Sequence, residues 1–166
     1  MSNQPAIRQR TELPFSRAEW NLLVKLPGRV VVAATSAQAD PTRRTVAEGL
    51  AGIDAIAAGR ASASRLVRDI VAAIYDEPDD DRPAAEQFAH RAAGIAGVLE
   101  ACRFAAQLLA ERAGRVDADA YRHWLVAIAT RVCHAARTGG VLGLAGAAVS
   151  PAERRFLAEL EAALSR

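Results

Sequence analysis

Apolar residues return every three or four positions along most segments between Phe15 and Leu164, and alanine is the commonest residue. That period sets the larger side chains on one face of an α-helix. Alanine also has the highest helix propensity of any residue. Aromatic residues make up only 5% of the chain, so the core has to be built mainly from Ala, Leu and Val faces that let helices approach closely. The pattern predicts an all-α fold: a single-domain bundle of about seven helices.

A chain of 166 residues fits one domain and buries about 70% of its unfolded surface without staples. Residues 1–14 are polar and end in Pro14, which reads as a flexible N-terminal tail ahead of a helical domain over 15–166. The 21 Lys and Arg nearly balance 19 Asp and Glu, for a net charge of +2. That balance makes no electrostatic case for nucleic acid or a membrane surface. Cys102 and Cys133 sit inside apolar helical patterns and are expected as buried thiols rather than a disulfide. No apolar run follows Met1, so a secretory signal is not expected. The richest apolar segment, Phe88 to Ala110, is broken by His90, Arg91, Glu100 and Arg103. A membrane span of about 20 apolar residues is therefore not expected, and a cytoplasmic location is.

Start and stop signals divide the chain. Ser16 with Glu19 forms an S-x-x-E capping box, and Phe15 and Trp20 occupy the two positions of a hydrophobic staple. They open a first helix over 17–26. Pro27 suits the first turn of a second helix over 27–39. Val30–Val32 also fits a strand, but Ala33, Ala34 and Ala37 continue the helical period. After Asp40–Pro41 a third helix covers 42–58, with Val46, Leu50, Ile53 and Ile56/Ala57 on its buried face and Gly59 at its end. Ser62 or Ser64 caps a fourth, 64–76, whose core stripe is Leu66, Val67, Ile70 and Ile74. An acidic loop from Asp76 to Pro83 leads to a fifth helix, 84–113. Its inner stripe is Phe88, Ile95, Leu99, Cys102, Ala106 and Leu109, opposite Glu100, Arg103, Gln107 and Glu111. Asp117 is expected to cap a sixth, 118–138, burying Tyr121, Trp124/Leu125, Ile128 and Val132. Ser150–Pro151–Ala152–Glu153 is a second capping box with proline at the first helical position. The last helix, 151–164, turns Phe156, Leu157, Leu160, Ala163 and Leu164 inward.

Chemistry is harder to find. The uncharged stretch from Gly139 to Val149 matches neither G-x-x-x-x-G-K-[ST] nor G-x-G-x-x-G. Its glycines suit an apolar loop lying against helices better than a phosphate cradle. His123 and His134 share one helix at a separation of roughly 16 Å, too far for one metal. His90 has no ligand partner at a usable spacing. The acids of 76–81 lack the glycine and final glutamate of a calcium loop. Arg60, Arg65 and Arg68 can pair with that loop or touch a partner, but no aromatic residues interleave them for nucleic acid. The serines are mostly caps. No catalytic residue, cofactor or metal is expected.

Two strings carry a family resemblance: LPGRVVVAATSAQADPTRRTVAEG, residues 26–49, and YRHWLVAIATRVCHAARTGGVLGLAGAAVSPAERRFLAEL, residues 121–160. In each, an Ala-rich helix runs into a loop followed by T/S-x-x-E, at Thr45–Glu48 and at Ser150–Glu153. Together they resemble the two halves of a small bacterial all-helical family similar to TerB-like (tellurite-resistance TerB) domains, over about residues 16–165. The resemblance implies two pseudo-symmetric helix–loop–helix halves, a cytosolic setting and a stress-associated role. The acidic residues that family carries between helices imply a metal. Here Asp40 is followed by Arg43 and Arg44, and no acid precedes Glu153 in the second loop. Metal and tellurite chemistry are therefore not carried over.

The function expected is a non-enzymatic protein-interaction or stress-associated module that meets a protein partner or a second copy of itself. The alternative is a TerB-like domain holding a small ligand or metal ion. The contact surface expected is the loop of Gly139, Gly140, Val141, Leu142, Gly143, Leu144 and Gly146. No charge lies between Arg137 and Glu153, loops run over the surface, and exposed apolar patches need a cover. That cover is either the domain's own helices or a partner.

Overall fold

The computed structural model describes residues 14–38, 42–76, 90–135 and 149–165, with side chains in the second helix from Val46 onward. These form six helices: α1 (Arg17–Ser36), α2 (Thr42–Ala58), α3 (Arg65–Asp76), α4 (Arg91–Arg112), α5 (Arg115–Ala135) and α6 (Pro151–Leu164). A 3-10 turn, Gly59–Ala61, follows α2. No strand occurs among the described residues, and Val30–Val32 is helical. One buried cluster draws side chains from all six helices, so the architecture is a single all-helical bundle.

Both capping boxes form. The Glu19 amide donates to Ser16 Oγ at 3.2 Å and the Ser16 amide donates to Glu19 Oε2 at 2.7 Å. The rings of Phe15 and Trp20 stack at 6.5 Å, completing the staple. Ser150 and Glu153 repeat the reciprocal pair at 3.1 and 2.7 Å. At α3 the choice falls on Ser64, whose Oγ accepts from the Val67 amide at 3.2 Å, while Ser62 Oγ accepts from the Ser64 amide.

Two expected boundaries are corrected. Pro27 does not start a helix; it lies buried inside α1, which runs through it. A proline in a helix interior removes the N–H that would bond the carbonyl four residues earlier. Here that carbonyl belongs to Leu23, and the Tyr121 hydroxyl donates to it at 2.8 Å. Two predicted helices therefore become one, and seven become six. Asp117 does not cap α5. The helix begins at Arg115, and Asp117 sits in its first turn, where an acid meets the positive end of the dipole. Its carboxylate accepts from the Ser64 hydroxyl at 2.6 Å, which joins the starts of α3 and α5. α2 begins at Thr42, where it was read to begin, so the T-x-x-E of Thr45 to Glu48 lies inside the helix rather than opening it. That Glu48 is only 3% exposed. The predicted starts and ends at 84 and 138 lie outside the described residues.

The first half of α5 binds the bundle together. Besides Tyr121 to α1 and Asp117 to Ser64, Arg122 donates to the Ala106 carbonyl of α4 at 3.1 Å and Trp124 Nε1 to the Ala55 carbonyl of α2 at 3.2 Å. The indole lies so close to the end of α2 that a Cβ on Gly59 would stand 2.8 Å from it. At the same end of the bundle Arg112 of α4 meets Glu19 at 3.5 Å and donates to the Pro14 carbonyl. α4 is long and apolar enough, by length and composition, to cross a membrane, more apolar than its charged interruptions led us to expect. In the bundle its Val98, Leu99, Cys102, Ala105, Ala106, Leu108 and Leu109 are buried, and it packs against α1, α5 and α6.

Three outcomes follow from this packing. Tyr121→Phe leaves the Leu23 carbonyl unsatisfied and should cost about 1–3 kcal/mol in denaturant unfolding. In a Pro27→Ala background the restored amide can serve that carbonyl, so the same substitution should cost clearly less; equal costs in both backgrounds would refute the pairing. Ser150→Ala should lower stability by about 1 kcal/mol with an unchanged m-value. Burial pushes the Cys102 thiol up from its ordinary 9.0 to about 12. Burial, and then the neighbouring Cys102, lifts the Tyr121 hydroxyl well above 10.0. The native state holds both protons while the unfolded chain releases them, so this stability is complete below about pH 9 and is lost as pH rises toward 12. Chemical denaturation across that window should show the decline, and Cys102→Ala should flatten it.

Candidate interaction surface

α2 presents two apolar faces of different size. Gly52, Ala55 and Gly59 recur at helical spacing and are buried, with Ile56 beside them. A Cβ on Gly52 would stand 2.6 Å from Val31 Cγ1, so α1 and α2 meet there closer than any side chain allows. This small face lies against α1 and α5, where Trp124 reaches Ala55 and Gly59. The helix is thereby turned, and Val46, Leu50 and Ile53 face outward at 59%, 60% and 53% exposure. They were expected in the core and are not. Ile56 is buried and Ala57 partly so, which matches the inner edge of the expected stripe only.

The outward residues step by four and then three positions, so they lie above one another on one helix face. Asp54 beside them is exposed. Other large apolar side chains reach solvent one at a time: Phe104 on α4, Val116 at the start of α5, and Tyr75 on α3. Tyr75 carries the Arg60 guanidinium 4.1 Å from its ring centroid. Single exposures of this kind are ordinary; three on adjacent turns of one helix form a patch. The signal for this rotation was in the sequence, since Gly52, Ala55 and Gly59 share a helical face as regularly as the larger residues do.

The other sequence candidates stay apart. The loop residues Gly139, Gly140, Val141, Leu142, Gly143, Leu144 and Gly146 lie outside the described residues, as do Asp40 and the acids 77–81. His90, His123 and His134 are exposed, and His134 Nδ1 lies 2.7 Å from the Thr130 carbonyl of its own helix. Among the described residues no three His, Cys, Asp or Glu side chains gather in a metal-sized group. Arg65 pairs with Asp69 at 3.4 Å and Arg68 donates to the Ser62 and Ala63 carbonyls, so both serve the start of α3.

A cleft of about 300 Å3 opens between the end of α1, the start of α4 and the start of α6. Ile95, Leu99 and Phe156 form its apolar wall, with alanines around them, and Arg155 and Glu159 stand on its α6 side. Gln38, next in sequence to the lining Ala37, has its Oε1 buried with no hydrogen-bond partner among the described residues.

Cys102 and Cys133 are buried thiols, and the raised Cys102 thiol holds little thiolate at neutral pH. Native protein should react with a thiol reagent far more slowly than unfolded protein; labelling at the unfolded rate would show the faces of α4 and α5 to be misplaced. No family model matches the chain, and no curated protein or solved structure does.

Proposed function

We propose that this chain is a non-enzymatic protein-interaction module whose contact surface is the outer face of α2. The observation that carries the reading is the patch of Val46, Leu50 and Ile53, each more than half exposed on consecutive turns. Exposed apolar rows on a helix are what a partner helix or groove recognises. The face acts by shape and apolar area, with no reacting group in it. A second copy of the chain is the simplest partner, and the TerB-like resemblance adds a stress-associated setting and a pair of pseudo-symmetric halves to the proposal.

Leu50→Lys tests it, because lysine keeps helix propensity and stands four residues before Asp54. At a surface site the monomer's stability should move by no more than about 0.5 kcal/mol. Sedimentation equilibrium should show wild-type association that the variant loses. A large loss of stability would show that the chain covers this face itself. Unchanged mass and unchanged stability would show that the face does not join two copies of the chain.

The cleft supports a second reading, a small ligand held between α1, α4 and α6. Its volume of about 300 Å3 stands at the lower end of small-molecule pockets. Native mass spectrometry after mild purification should then show an adduct that Ala96→Phe, which fills the cleft, abolishes. A bare mass in both proteins would remove this reading and leave the first untouched.

A further inference from the structure

We draw no further inference here: the strongest candidate, the Val46, Leu50 and Ile53 face of α2, belongs to the surface already proposed, and nothing in the structure shows what covers it.

Discussion

The hydrogen bond from the Tyr121 hydroxyl to the Leu23 carbonyl is the contact on which the rest of the bundle depends. Proline at position 27 leaves that carbonyl without its helical partner in the most buried part of α1, where Leu23, Leu26 and Val30 are fully enclosed. A buried carbonyl left open is costly. A fully buried tyrosine from α5 fills the gap. Its position fixes how far along α1 the helix α5 sits. Three residues on, Trp124 reaches Ala55 and so sets α2 against α5. Arg122, between them, takes α4 through the Ala106 carbonyl. One helix thus places three others through side chains aimed at their backbones, which is a more specific device than an Ala-rich core supplies by packing alone.

The legible parts of this fold are those settled within a few residues. Both capping boxes, the staple of Phe15 on Trp20, the inner stripe of α5 and, apart from the half-buried Leu157, that of α6 formed as read. Each depends on contacts inside one or two turns. Pro27 was misread because the group that makes it tolerable, the Tyr121 hydroxyl, lies 98 positions beyond the Leu23 it serves. Locally a proline near Gly28 is a good helix start; only the fold supplies a hydroxyl for Leu23. Asp117 was read as the cap of a helix starting at 118, three residues beyond the true start at Arg115, for a similar reason. Its carboxylate is used by Ser64 of another helix rather than by its own first amides.

α2 failed differently. Its period was right and its ends were right, but two faces satisfied the same period. Hydropathy favours Val46, Leu50 and Ile53, while interhelical distance favours Gly52, Ala55 and Gly59. The second won because Val31 and Trp124 occupy the space that larger side chains would need. Turning α2 to bury the larger face would break the Trp124 bond to Ala55 and bring the buried Glu48 toward solvent. It would also push α1 and α2 apart at Gly52. The candidate surface was therefore hidden from a reading that ranks faces by apolar content, and visible to one that asks which face is thin enough to fit.

That outcome also limits what the surface can do alone. Fully burying an aliphatic side chain stabilises by roughly 1.5–3 kcal/mol. Val46, Leu50 and Ile53 have just over half of their surface left to bury, so together they offer on the order of 2–5 kcal/mol. Association costs at least about 4 kcal/mol in lost translational and rotational freedom. The stripe by itself therefore supports only weak contact. α2 is 17 residues long, about 25 Å, and a face of that length falls well short of the roughly 800 Å2 per partner of a standard interface. A partner that holds this chain firmly has to rest on more than α2. The surfaces next to the stripe are those of α1 and α5, the helices that already seat α2. The patch then serves as the apolar centre of a broader and more polar contact rather than as the whole of it.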